Sequence, residues 1–247
     1  MNLSLLNEIL ETRVVLNKDG NPLPLTGHID RQEGLFLSNL ILNDPSIVNT
    51  LEIGCAFGIS SLYICNALRD RSNASHTILD PYQYGDHYQG IGALNLKRAG
   101  IDFFNLIDEK SEIALPKILN KTTEKYDLIF IDGLHTFDQA SVDFYFANRL
   151  VRKGGFIVFD DSSLPSVAKV ISYAMKYPAY SFHSEVKIKS GLKRTLHFLE
   201  KFVPDFIFTN FFPVKINHLR NRIRFSSMVA LQKVSEDDRD KHWITLF

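Results

Sequence analysis

Four acids, Glu52, Asp80, Asp132 and Asp160, each stand at or beside the carboxyl end of an apolar run with strand character, at residues 48–53, 77–79, 126–131 and 156–159. Carboxylates accept hydrogen bonds from hydroxyls and amides and bind hard cations, so a row of them on one edge is a chemical resource. Two of the four have company: Asp132 opens the run DGLH, which puts His135 three residues on, and Asp160 is doubled by Asp161. An imidazole is a competent proton acceptor at neutral pH. Carboxylates on adjacent strand ends can hold a divalent cation such as Mg²⁺ and leave positions for water or two substrate oxygens. The same residues also have purely structural uses: Asp132 as an orienting group, Asp160 and Asp161 as caps of the next helix, His135 as a satisfied structural histidine.

The elements that must position these acids are legible around residues 48–61, VNTLEIGCAFGISS. An apolar strand ends at Ile53. Gly54, Ala56 and Gly58 then permit a tight turn, and Ser60, Ser61, Leu62, Ile64 and Leu68 begin a helical spacing. At the carboxyl end of a first parallel strand such a turn lets a ligand approach the backbone beside a helix N-terminus. A dinucleotide site requires G-x-G-x-x-G, and Ile59 stands where the third glycine belongs. A generic turn of a Rossmann-like fold remains the plain alternative. Asp80, at the end of the second strand, is placed to accept both hydroxyls of a ribose, or to cap the turn that Pro81 enters.

Along the rest of the chain the spacing predicts a helix over 2–16 on Leu3, Leu6, Ile9, Leu10 and Val14, a break over 17–24, and a second helix carrying Leu35, Phe36, Leu40 and Ile41. A turn around Gly27, His28 and Arg31 is expected to face a ligand. Residues 81–92 crowd Tyr82, Tyr84, His87 and Tyr88 between glycines, as a lid, a substrate wall or an ordinary exposed loop. A third strand covers 103–107, followed by Ser111, Glu112 and a helix starting near Ile113. Thr136 and Gln139 read as a capping box for a helix stopped by Gly154, and Ser162 or Ser163 as the cap of a helix with Pro165 in its first turn. Five strands alternating with helices predict an open α/β sheet that binds ligands along its carboxyl edge.

Composition narrows the classes. The 247 residues are 45% hydrophobic, enough to bury one full core, and 28 Lys and Arg balance 28 Asp and Glu, so nothing global points to nucleic acid. Cys55 and Cys65 suit a reducing compartment better than a disulfide framework. With no basic, apolar, small-residue leader and no apolar run of spanning length, a cytoplasmic location is the expectation.

The E-x-G-x-A-x-G spacing from Glu52 to Gly58, with Ser60 two residues on, resembles motif I of class I S-adenosylmethionine-dependent methyltransferases. The runs IDGLHTFDQASVDFYFANRLVRKGGFIVFDD and LDPYQYGDHYQGIGALNLKRAGI resemble a bacterial family related to metal-dependent, catechol-type O-methyltransferases. The resemblance covers about residues 25–177 and the ending from 226. It implies a Rossmann-like class I methyltransferase fold, a seven-stranded, mostly parallel sheet flanked by helices. It also implies S-adenosyl-L-methionine as cofactor, with Gly54, Ala56, Gly58 and Ser60 around its methionine end, Asp80 on the ribose, Ser111 and Glu112 by the adenine, and Glu52 and Asp132 among its other binding residues. Asp132, Asp160 and Asp161 fall on the metal positions, with Asp161 where Asn is usual, and His135 stands where the family's catalytic lysine does.

These expectations combine into one domain over 1–247, with an N-terminal helical cap at 1–45, that methylates a hydroxyl of a small molecule with Mg²⁺ assistance. Two alternatives are a metal-independent enzyme using His135 as base and an inactive cofactor-binding partner subunit. Residues 184–224 read as an insertion, with nine Lys or Arg against three acids and the aromatic cluster Phe198, Phe202, Phe206, Phe208, Phe211 and Phe212. A homo-oligomer interface, plain packing or weak contact with a membrane surface are its expected uses. Trp243, Ile244 and Phe247 are expected to pack back on the body.

Overall fold

The computed structural model describes residues 4–188 and 226–239. The basic, aromatic cluster of the 184–224 stretch, along with Leu3, Trp243, Ile244 and Phe247, lies outside the described residues.

The chain opens with α1 (Ser4–Thr12), but the helix does not reach Val14. Arg13 takes a left-handed φ of 58°, and Val14–Leu16 (β1) pairs antiparallel with Pro22–Pro24 (β2) in a two-stranded hairpin. The expected helical cap is therefore part hairpin. Helix α2 (Arg31–Asn43) follows, held at its start by a capping box in which Asp30 accepts from the Glu33 amide and the Glu33 carboxylate accepts from the Asp30 amide.

Seven strands form the main sheet in the order β5-β4-β3-β6-β7-β9-β8. They are β3 (Asn49–Ile53), β4 (Ser75–Leu79), β5 (Phe104–Ile107), β6 (Tyr126–Ile131), β7 (Val151–Phe159), β8 (Tyr180–Lys187) and β9 (Ser226–Lys233). Pairs among β3 to β7 are parallel, and β9 enters antiparallel between β7 and β8. The expected seven-stranded, mostly parallel sheet is what forms.

Strand β6 shows why both faces are covered. All six residues of its YDLIFI are buried; Leu128 and Phe130 enter one core with α1, α2, α3 (Ile59–Leu68) and α4 (Ile91–Arg98). Ile129 and Ile131 enter the other core with α5 (Ser111–Lys121), α6 (Phe137–Leu150) and α7 (Pro165–Ala174). Period-two alternation on a central strand thus feeds two cores at once. The strand order reverses between β3 and β6, which opens a crevice at their carboxyl ends.

Three local expectations are corrected. Helix α5 begins at Ser111, not near Ile113, and carries Pro116 inside it. Gly154 does not stop α6, which ends at Leu150; it lies within β7 at φ 82°, next to a register shift against β6. Neither Ser162 nor Ser163 caps α7: Leu164 does, Pro165 is the first helical residue, and the buried Ser162 hydroxyl donates to the Ser226 carbonyl at 2.7 Å.

Candidate active site

Backbone hydrogen bonds lock the strand ends into one edge. The amide of Gly54 donates to Leu79 O at 2.8 Å, Asp80 to Ile107 O at 3.2 Å, Asp132 to Ile53 O at 2.9 Å and Asp160 to Ile131 O at 3.0 Å. A cleft of about 520 Å³ opens on this edge. Gly54, Ala56, Ser60, Asp80, Ser111, Glu112, Asp132, His135, Asp160 and Asp161 all line it.

Three expected contacts do not. Glu52 is wholly buried below the cleft, because strand alternation turns it away from the face that Leu51 and Ile53 share. There it accepts from Ser61 Oγ and meets His76 Nε2 at 3.0 Å, while His76 Nδ1 meets Thr50 Oγ1 at 2.9 Å. Gly58 also stays off the wall and instead turns the chain into α3 at φ 80°. Arg31 faces away too, donating to Asn7, although Gly27 and His28 do reach the cleft.

At the turn, Gly54 sits at φ 91°, and a Cβ there would stand 2.1 Å from the Asp132 carbonyl oxygen. Only glycine allows that approach of β3 to β6. Asp80 completes the turn: its Oδ2 accepts from the amides of Cys55 at 3.1 Å and Ala56 at 2.9 Å, and its Oδ1 from Tyr82 at 2.9 Å. Gln83, fully buried, bridges the same turn to α4, donating to Ala56 O and accepting from Gly92 N. Tyr88, stacked edge-on against Phe57 and His87, joins the lining, so part of the 81–92 loop is wall.

The far end is crowded with acids. Burial, then the neighbouring Asp160 and Glu52, push Asp132 well above the ordinary carboxylate range, and the two carboxyl groups of Asp132 and Asp160 interact directly. Asp160 is pushed up as well, by burial first and then by Glu33 and Asp161. Asp161 turns outward, and its Oδ2 lies 3.3 Å from His135 Nε2. The three expected metal ligands are thus divided, two paired with each other and one on the histidine. Among the described residues no group of three His, Cys, Asp or Glu side chains stands in ligating geometry.

Sequence reasoning missed Glu33, which lines the cleft from the first turn of α2. The signal was present as D-x-x-E ahead of an apolar run. It also misassigned Gln139: Thr136 precedes α6 without a side-chain cap, and Gln139 instead reaches across to Ser111 and Glu112.

Residues 51–162 match the model of a methyltransferase domain family. That stretch is less than half of the chain; with the seven-stranded sheet around it, the chain has the Rossmann-like fold of class I methyltransferases. An uncharacterized protein of Acanthamoeba polyphaga mimivirus is 35% identical over 79 residues, a match spanning 28% of this chain and 36% of that protein's length. Solved structures share the fold. An O-methyltransferase from Bacillus cereus in complex with S-adenosylhomocysteine is 23% identical, covering 75% of this chain and 84% of that one, at a TM-score of 0.59. The O-methyltransferase TomG from Streptomyces achromogenes, in complex with S-adenosylmethionine, is 14% identical over 94% and 90% of the two chains, with a TM-score of 0.62.

Proposed function

We propose that this domain transfers a methyl group from S-adenosyl-L-methionine to a hydroxyl of a small molecule, with His135 as the base. The observation that carries the base assignment is the 3.3 Å contact between His135 Nε2 and Asp161 Oδ2 on the wall of the cleft. An acid beside an imidazole holds the ring in one orientation. His135 is further pinned through its carbonyl, which accepts from Ser166 Oγ at 2.5 Å. S-adenosylmethionine, when bound, supplies an electrophilic methyl on a sulfonium.

The chain's part is to seat that group and the acceptor in line and to remove one proton. In this reading the turn at Gly54–Ser60 receives the methionine end, Asp80 turns toward the ribose, and Ser111 and Glu112 receive the adenine. The acceptor hydroxyl lies toward Asp132 and His135. Its oxygen would be the nucleophile toward that methyl, with S-adenosylhomocysteine as the leaving group, and His135 would take its proton. A homo-oligomer and a role for 184–224 at its interface are parts of the same proposal that concern residues beyond the cleft.

A divalent cation such as Mg²⁺ is the second reading, favoured by the crowding of Asp132 against Asp160, which a cation would relieve. As built, the donors do not fit it: Asp161 would have to leave His135 to complete the three-carboxylate set. The two readings compete for one side chain, Asp161.

The test follows S-adenosylhomocysteine release with a panel of hydroxyl acceptors, with a chelator and with Mg²⁺, alongside a Mn²⁺ titration of the protein with cofactor. Turnover that survives the chelator and falls in His135→Asn supports the base. One tight Mn²⁺ equivalent that weakens in Asp160→Asn, with turnover lost to the chelator, replaces it with the cation. No binding of S-adenosylmethionine overturns both.

A further inference from the structure

Asp143, on α6, is fully buried and outside the cleft, and it lies behind two residues that line it. Its Oδ1 accepts from Ser111 Oγ at 2.6 Å and from Gln139 Nε2 at 3.3 Å, while its Oδ2 has no hydrogen-bond partner. Ser111 has a single proton, spent on Asp143, so its oxygen is free to accept from Gln139 Nε2 at 2.8 Å. Glu112 Oε2 stands 3.3 Å from the same Nε2. Three acceptors therefore surround one end of the Gln139 carboxamide, and the flipped amide would set oxygen against oxygen. Gln139 Oε1 makes no hydrogen bond among the described residues and is not a buried orphan, which leaves it as the polar atom this side chain offers to a ligand in the cleft.

We propose that Asp143 is a positioning residue that fixes the hydrogen-bond polarity of this wall, so that Gln139 presents an acceptor and selects a purine bearing an amino group over one bearing an oxo group. The inference rests on the cofactor reading above and deepens it, because it names the chemical feature of the nucleoside that the wall reads. Burial pushes Asp143 up to about 6, and above that pH its carboxylate can only accept, which fixes the direction of the whole chain: Ser111 donates inward, Gln139 donates inward, and acceptors face outward. A buried network with every proton assigned in this way rejects an analogue whose polarity is reversed.

Calorimetric titration with S-adenosylhomocysteine and with S-inosylhomocysteine, which carries an oxo group in place of the amino group, reads the selection directly. The wild type is expected to prefer the adenosyl ligand by about tenfold or more, the worth of one well-placed hydrogen bond. Asp143→Leu, similar in size but without an acceptor, is expected to bring the ratio toward one. Asp143→Asn, which can still turn an oxygen to Ser111, is expected to keep it even where its melting temperature falls. Gln139→Met removes the carboxamide itself and is expected to abolish the preference, so the proposal stays testable if Asp143→Leu does not fold. Equal binding of the two ligands by the wild type, or a preference that persists in Gln139→Met, overturns it. Absence of any adenosyl binding by the wild type overturns the cofactor reading instead, so the two failures are distinguishable.

Discussion

The two ends of the cleft are built on opposite electrostatic terms. At the Gly54–Ser60 turn, the acid is satisfied: Asp80 accepts from three backbone amides and stays buried. At the other end, Glu33, Asp132, Asp160 and Asp161 all line the cleft, and burial and crowding raise the proton affinity of Asp132 and Asp160. The first end is finished without a ligand. The second is crowded, with Asp132 and Asp160 pushed up and Asp161 turned to His135. Rigidity and reactivity are thereby separated along one sheet edge, and substitutions should affect the two ends in different currencies: stability at the turn, turnover at the acids.

The sharpest way to break that contrast is at His135. His135→Asn is expected to lower kcat by a factor on the order of a hundred or more, the usual worth of a positioned general base, with cofactor affinity unchanged. Steady-state kinetics beside calorimetry checks this, and a loss of cofactor affinity with kcat intact would place the residue on the wrong side of the comparison. Gly54→Ala is the counterpart at the turn. A Cβ at φ 91° and 2.1 Å from a carbonyl oxygen forces the β3 and β6 ends apart, at a cost of about 3 kcal/mol or more in urea denaturation.

Asp160→Asn should move the other way. A carboxyl whose folded pKa is pushed up, here to about 8, costs nothing while it is protonated in both states. The penalty grows as pH rises through the window between the ordinary carboxylate range and about 8, because the unfolded chain releases its proton first. The variant, with no proton to hold there, is therefore expected to be more stable than the wild type at neutral pH by about 1 kcal/mol or more, with the difference shrinking as the solution is acidified toward pH 4. Thermal denaturation across this range, in the absence of divalent cations, reads the slope. A variant that is less stable at every pH would mean that the Asp132–Asp160 pair is a structural hydrogen bond rather than a crowded one.

The same division decides what the sequence made legible. The acids at strand ends were readable because β6 advertises itself as YDLIFI and because each acid directly follows its apolar run. Motif spacing located the turn, yet it could not say which of its members face the ligand; Glu52 and Gly58 belong to the motif and not to the wall. Side-chain direction comes from strand alternation relative to α3, a tertiary fact. Gln139 was misassigned because a capping box and a reach to Ser111 share the same local pattern, and only the packing of α5 against α6 chooses between them. Val14 was given to a helix because apolar spacing alone cannot register the left-handed turn at Arg13. The division of Asp161 from Asp132 and Asp160 depends on φ 47° at Asp161 itself, which residue types do not announce.

The smallest expected effect lies at the mouth of the acid end. Leu134, between Asp132 and His135, is 65% exposed although it lines the cleft, and Phe137 beside it is 42% exposed. Solvent already surrounds Leu134, so Leu134→Ala should change stability by no more than about 0.5 kcal/mol. An acceptor seated against His135 would cover that side chain and remove part of its apolar surface from water, a contribution made equally before and during methyl transfer. The expected signature is therefore a rise of roughly threefold to tenfold in KM for the acceptor, with kcat and cofactor affinity unchanged. A fall in kcat instead would mean that Leu134 aligns the acceptor in the transition state, and the acid end would then owe its selectivity to shape as well as to charge.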